Sequence, residues 1–167
     1  KNGISACVKH FAANNQEERR MVSDSVIDER TLREIYLTGF EIAVKEGNPK
    51  SIMSSYNKLN GTFANENEHL LKEILRDEWG FKGVIVTDWA GCNDRIKGLI
   101  AGNELEMPVC RYGADDVFEA LENGTIDESL VDERLDNLID LILSTDNALK
   151  TAPETFDEEK HHALARK

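Results

Sequence analysis

Gly83-Val84-Ile85-Val86-Thr87-Asp88-Trp89-Ala90-Gly91 decides the fold. Val84 to Thr87 are β-branched in an unbroken row. Such a run reads as a short, fully buried strand of a parallel sheet. Asp88 ends it, with an aromatic beside it and small residues after. In parallel α/β folds the loops at the carboxyl ends of strands form the pocket and carry the chemistry. An acid there faces a substrate while rigid backbone holds it. The competing reading is that Asp88 is a helix cap or a loop acid. This stretch alone leaves both open.

Working upstream, a helix opened by Asn67 or Asn65 carries Leu70, Leu71, Ile74, Leu75 and Trp79 on one face and stops at Gly80. Before it, Lys50 to Tyr56 reads as a strand ending in Ser54-Ser55-Tyr56-Asn57, with a turn at Asn60-Gly61. Asp28 caps an earlier helix with Leu32, Ile35, Tyr36, Phe40 and Ala43 in helical period, stopped by Gly47. Ser5 to Val8 reads as the first strand, ending at Lys9-His10-Phe11. The polar loop Ala12 to Val26 follows, long enough to be functional or mobile.

Downstream, Asp94 to Ala101 is a short helix stopped by Gly102. Glu104 to Met107 is a weak fourth strand ending at Pro108. Ala114 to Asn123 is a helix closed by Gly124. Asp127 caps a long last helix with Val131, Leu135, Leu138, Ile139 and Ile142 on its apolar side. From Lys150 onward the period fades, and Pro153, an acidic stretch and His161-His162 read as a linker.

Strand, loop and helix thus alternate, as in an α/β fold with parallel crossovers. An open doubly wound sheet and a (β/α)8 TIM-type barrel both satisfy the pattern. No glycine-rich phosphate loop follows a strand, so the dinucleotide-binding version loses support. Four strands are too few to close a barrel. On the barrel reading the chain is the C-terminal part of one, about four β-α units over residues 1–149, with 150–167 leading away from it.

The 167 residues begin with Lys1, which suggests a fragment or a processed product. A net charge of −12 repels nucleic acid and anionic membranes and suits a neutral substrate. No apolar run approaches a membrane span. Cys7, Cys92 and Cys110 are widely spaced, without a zinc, haem or disulfide pattern. They read as buried reduced thiols, which favours a reducing, cytoplasm-like compartment. No cluster calls for a metal or a cofactor.

Polar residues gather at the strand ends: Lys9 and His10, Tyr56 and Asn57, Asp88 and Trp89, Glu104 and Glu106. In a parallel sheet these ends open on one side. Two chemistries can use the set. In glycoside hydrolysis with retention, Asp88 is the nucleophile at the anomeric carbon and a second carboxyl acts as acid, then base. Tyr56 donates to Asp88, Lys9 and His10 bind sugar hydroxyls, and Trp89 stacks on the ring. Schiff-base chemistry would instead use Lys9 as the amine. That needs a desolvated lysine of low pKa, and a nearby Asp88 would hold it charged. The first reading is favoured.

Several segments resemble glycoside hydrolase family 3. They are Lys9-His10-Phe11-Ala12 with Asn14-Asn15-Gln16-Glu17, and the stretch Ser23 to Arg33. They continue with Ile52 to Gly61, Leu75 to Gly83, Val86-Thr87-Asp88-Trp89 and Leu105-Glu106-Met107-Pro108. The resemblance covers nearly the whole chain, in the family's order. It implies a retaining β-glycosidase, β-glucosidase-like, whose first domain is a barrel and whose second is an α/β sandwich. It maps the nucleophile to Asp88, with Thr87 in place of the usual serine. The residues holding the sugar map to Lys9, His10, Met53, Tyr56 and Trp89.

Other parts of that pattern lie outside the chain. In the β-glucosidase-like branch the acid/base glutamate comes from the sandwich domain, and an Asp and an Arg come from earlier barrel strands. The Asn14 to Arg20 loop does not look like the His-bearing loop of the N-acetylhexosaminidase branch. A β-linked glucoside is the expected substrate, with β-xyloside or β-N-acetylhexosaminide as alternatives. The chain alone is expected to be inactive and prone to self-association at its cut edges. The reading from a different class is a non-catalytic half-barrel that binds a sugar or a partner, including the rest of its own polypeptide.

Overall fold

The computed structural model of the chain describes residues 3–108, 113–151 and 156–167. Strand β1 (Cys7–Phe11) and the two-residue β2 (Asp24–Ser25) precede helix α1, which runs over 29–47. Strand β3 (Ser51–Ser54) leads to the hairpin of β4 (Lys58–Leu59) and β5 (Thr62–Phe63), then to helix α2 (His69–Glu78) and strand β6 (Val84–Val86). Helices α3 (Arg95–Ala101), α4 (Asp115–Glu122), α5 (Glu128–Thr151) and α6 (Glu158–Ala165) complete the order.

The main sheet has the order β1-β3-β6, all parallel, with Val8, Ile52 and Ile85 in register. Helices α1 and α2 make the crossovers, which is an α/β fold. The reason is visible in the packing. Ile52 and Ile85 are fully buried with Leu32, Leu37, Leu70, Leu71, Ile74 and Leu75 from the two helices. Each such side chain contributes about 1.5–3 kcal/mol relative to exposure. Phe11 joins them, edge-on to Phe40 at 5.0 Å and tilted against Trp79 at 5.8 Å. Gly83 enters β6 where a β-carbon would collide with the Lys50 carbonyl and the Phe81 ring.

The cap expected at Asp28 is present, accepting from Thr31 N, and Asp94, read as the first residue of its helix, instead caps it, accepting from Lys97 N. Asn60 and Gly61, at φ 52° and 90°, make the turn between β4 and β5. The departures have physical causes. The first strand extends through Lys9 and His10 instead of ending before them. The loop Ala12 to Val26 contributes β2, which pairs parallel to β4 in a small second sheet. Residues Leu32–Leu37 of α1 take a π turn. Its wider winding rotates Leu37 inward and leaves Ile35 69% exposed, against the 3.6-residue period. Asn48, left-handed at φ 47°, rather than Gly47, caps that helix.

The fourth strand shrinks to one parallel bridge between Val86 and Leu105. Glu104, counted among the strand-end pocket residues, turns inward instead. Helix α5 buries only Arg134, while Leu135, Ile139 and Ile142, expected in its core face, are exposed. Past Lys150 the chain is not bare linker, since Asp157 caps α6. Cys7 is exposed and Cys92 half-buried, which corrects the picture of buried thiols; Cys110 and Pro153 lie outside the described residues.

Two ionic clusters tie the helices to the sheet. Glu104, its side chain wholly buried, accepts from Arg76 Nη2 at 2.5 Å, Arg134 Nη1 at 3.1 Å, Asn137 Nδ2 at 2.9 Å and the Ile85 backbone N at 2.6 Å. Burial is the largest influence on both charges: it pushes the Glu104 carboxyl up and the Arg76 guanidinium down, while each draws the other back. At the surface, Arg33 grips Glu78 at 2.6 and 2.9 Å and Glu29 at 2.5 Å. His69 bridges Glu73 at 2.6 Å and Glu29 at 3.2 Å, so α1 and α2 share one network.

Removing Glu104 strands two buried guanidinium groups, so Glu104→Ala should cost about 3–5 kcal/mol in urea unfolding. An unchanged midpoint would show that the cluster holds nothing. The hydrogen bond to Glu73, foremost, and the nearby Glu29 raise the pKa of His69. A raised imidazole favours the fold fully below its unfolded value of about 6.5, and the gain is lost as pH rises through the folded value. Thermal unfolding across that window should therefore show a stability loss that His69→Gln abolishes.

Candidate active site

Asp88 follows β6 directly, and its placement starts with the residue before it. Thr87 is 2% exposed. Its backbone N donates to the Leu105 carbonyl at 2.9 Å, and its hydroxyl accepts from Met107 N at 2.9 Å. Ala90 N donates to the Met107 carbonyl at 2.7 Å, and Gly91 N closes a turn on the Asp88 carbonyl at 2.9 Å. The Leu105-Glu106-Met107 segment thus clamps both sides of the Asp88 turn. A threonine hydroxyl makes this clamp as well as a serine would.

Tyr56 and His10 are brought together by a second clamp. Ser55 N donates to the Phe11 carbonyl at 2.8 Å, and Ser55 Oγ donates to the Ala12 carbonyl at 3.0 Å. Asn57 Nδ2 reaches the Ala12 carbonyl at 3.2 Å and the Lys58 carbonyl at 3.0 Å. Ser55 and Asn57 are each 1% exposed. These two polar side chains lock the end of β3 onto the end of β1, and Tyr56 is held between them.

The result is a carboxylate with three polar neighbours. Asp88, with 13% of its side chain exposed, takes the Trp89 backbone N on Oδ1 at 2.7 Å. Its Oδ2 lies 3.5 Å from His10 Nε2. Burial first, and then the Asp88 carboxylate, push the Tyr56 phenol up. One oxygen is oriented by backbone and the other faces an imidazole, so the carboxylate is fixed in rotation. A fixed, partly exposed carboxylate beside hydrogen-bond donors is suited to attack an electrophilic carbon.

Lys9 is exposed and faces a cleft of about 320 Å³ with His10, Asn14, Tyr36 and Phe40. Met53 is half-buried in β3, in register with Val86. Trp89 presents a 56% exposed ring next to the carboxylate. Glu106 is taken up by Arg95 at 2.7 Å, and Glu104 by the buried cluster, so neither joins Asp88.

Arg20, passed over by residue-type reasoning, sits with its guanidinium 4.8 Å from the Tyr56 ring centroid. Glu17 anchors it at 3.1 Å from the same loop. The only advance signal was the loop's length and its density of charge.

The family model described as "Glycosyl hydrolase family 3 N terminal domain" matches residues 1–141. "Thermostable beta-glucosidase B" of Acetivibrio thermocellus is 46% identical over 167 residues, 98% of this chain and 22% of its own length. "Exo-alpha-(1->6)-L-arabinopyranosidase" of Bifidobacterium breve is 42% identical over 163 residues, covering 98% of this chain and 21% of its own. The crystal structure of a family 3 beta-glucosidase from Bifidobacterium adolescentis superposes with a TM-score of 0.93 at 40% identity, over 98% of this chain and 24% of that one. The chain therefore spans about a fifth of the length of the curated relatives it matches.

Arg20 lowers the Tyr56 phenol against the burial that raises it. Arg20→Ala should shift the Tyr56 ultraviolet titration to higher pH, with Tyr56→Phe identifying the signal. A titration that stays in place would show that the cation and the ring are uncoupled.

Proposed function

The chain belongs to glycosyl hydrolase family 3, and from that membership we propose that it supplies the nucleophile of a retaining β-glycosidase. The observation that carries the reading is the Asp88 carboxylate, oriented by Trp89 N and flanked by His10 and Tyr56 at the ends of parallel strands. Residues 1–149 are read as the C-terminal part of a (β/α)8-type barrel, and 150–167 as the segment leading away from it.

In the proposed reaction an Asp88 oxygen attacks the anomeric carbon while the bond to the leaving oxygen breaks and that oxygen takes a proton. Water then cleaves the glycosyl-aspartate ester, and the configuration is retained. Tyr56 and the Trp89 amide hold the carboxylate during attack and accept it back as leaving group. Lys9 and His10 are assigned to sugar hydroxyls, Met53 to the wall of the site, and the exposed Trp89 ring to the apolar face of the sugar. The acid/base carboxyl is assigned to a part of the polypeptide beyond these residues. The steps require no metal or cofactor.

A β-glucoside is the proposed substrate, after the relatives named for it. A relative named for an arabinopyranoside at 42% identity argues that the choice of cleaved sugar is set in part elsewhere in the polypeptide.

The test is trapping with a 2-deoxy-2-fluoro-β-glucoside followed by peptide mapping of the intact protein. Label on Asp88, lost with a fall in turnover of about 10³-fold or more in Asp88→Ala, is expected. Label on another carboxylate would overturn the assignment. The isolated 167-residue chain should hydrolyse an aryl β-glucoside at no more than background rate.

A further inference from the structure

Strand β6 and the segment after α3 pair in parallel up to the residue before the nucleophile, and the pairing ends on a side chain. Val86 and Leu105 form the bridge. Leu105 N donates to the Ile85 carbonyl at 3.2 Å, and Thr87 N donates to the Leu105 carbonyl at 2.9 Å. Donors alternate between the two segments, as the rungs of a parallel ladder do. The next rung of that pattern would run from Met107 N to the Thr87 backbone carbonyl. Met107 N donates instead to Thr87 Oγ1, at 2.9 Å. On the reading of Asp88 as nucleophile, we propose that Thr87 is a positioning residue for it: its hydroxyl closes the last rung in place of its own carbonyl. That releases the peptide between Thr87 and Asp88 to turn the carboxylate toward His10.

A strand continued by a regular rung would carry Asp88 on in the pleat, with its side chain set by alternation. Here the chain folds back at once. Gly91 N donates to the Asp88 carbonyl at 2.9 Å, and Ala90 takes φ 61° at the third position of that turn. Glycine is the ordinary residue there, because a β-carbon is strained at positive φ. Ala90 N donates to the Met107 carbonyl at 2.7 Å, so the residue diverted from the ladder also holds the turn. With the turn made, Asp88 Oδ1 takes Trp89 N at 2.7 Å and Oδ2 lies 3.5 Å from His10 Nε2.

The side chain at 87 therefore chooses between two backbone arrangements. Thr87 is 2% exposed, and its hydroxyl faces both polar groups of Met107, with the carbonyl at 3.5 Å. Serine offers the same oxygen at the same reach. Valine matches threonine in shape and offers no acceptor. A backbone amide in such a place must find a partner. In a valine variant the acceptor left to Met107 N is the carbonyl of residue 87. The regular rung then forms, and the peptide ahead of Asp88 rotates.

Thr87→Val and Thr87→Ser in the intact protein, trapped with an aryl 2-deoxy-2-fluoro-β-glucoside, separate positioning from stability. The maximal trapping rate of Thr87→Val should fall by ~10²-fold, the loss expected of a reacting atom displaced by about 1 Å, while the half-saturating concentration stays within about threefold. Thr87→Ser should recover most of that rate. A valine variant that melts lower but traps at the wild-type rate overturns the proposal. A crystal structure of the intact wild-type protein carrying the trapped sugar tests it even where the valine variant does not fold. Met107 N on Thr87 Oγ1 supports the proposal, and Met107 N on the Thr87 carbonyl refutes it. Wild-type label on a carboxylate other than Asp88 overturns the nucleophile reading and this proposal with it. Label on Asp88 at a rate indifferent to Thr87→Val overturns this proposal alone.

Discussion

A single buried carboxylate holds the frame together. Glu104 spans Arg76 on α2, Arg134 and Asn137 on α5, and the backbone of Ile85 inside β6. Taking so many charges out of water is costly; four hydrogen bonds to the Glu104 carboxylate offset that cost, while Arg76 Nε and Arg134 Nε meet no partner among the described residues. Arg76 spreads further, to the Gly83 and Gly102 carbonyls at 3.3 and 3.0 Å. An apolar core would pack these elements with similar energy but would tolerate sliding. The ionic cluster ties α2 and α5 to β6 in one register. That register puts Asp88, three residues beyond Ile85, at a defined height above the sheet.

From that height two backbone clamps do the rest. Met107 grips the turn around Asp88 through Thr87 and Ala90, and Ser55 with Asn57 grips the start of the loop after β1. The side chains that meet at the carboxylate come from three strand ends. None of them needs a flexible loop to find its place. Arg20 is the exception, since it arrives from the long polar excursion and lies against the Tyr56 ring.

Much of this was legible in residue order. The β-branched run before Asp88, the cap at Asp28, and the Asn60-Gly61 turn follow from local rules that tertiary context did not override. The grouping of His10 and Tyr56 with Asp88 followed from parallel strands opening on one side. Failures came where a distant partner decides. The π turn of α1 shifts Ile35 outward, which a fixed helical period cannot register. Glu104 was grouped with the pocket because spacing along a strand does not reveal that two arginines wait on the other face. Arg134, in the middle of an apolar-looking helix, is the residue that α5 actually buries.

The small second sheet has a consequence for how such a site diversifies. Ser25 Oγ is tied to the Ala13 carbonyl at 2.9 Å, and Asp24 Oδ1 to Gly61 N at 3.0 Å. The excursion from Asn14 to Val22 is therefore stapled at its base, and its ends cannot drift apart. Residues within it other than Arg20, whose guanidinium lies on the Tyr56 ring, can be exchanged or lengthened with little strain reaching the carboxylate, because loop closure has already been enforced below them. Natural variation in selectivity can thus accumulate on this collar while the reactive centre beneath stays unaltered.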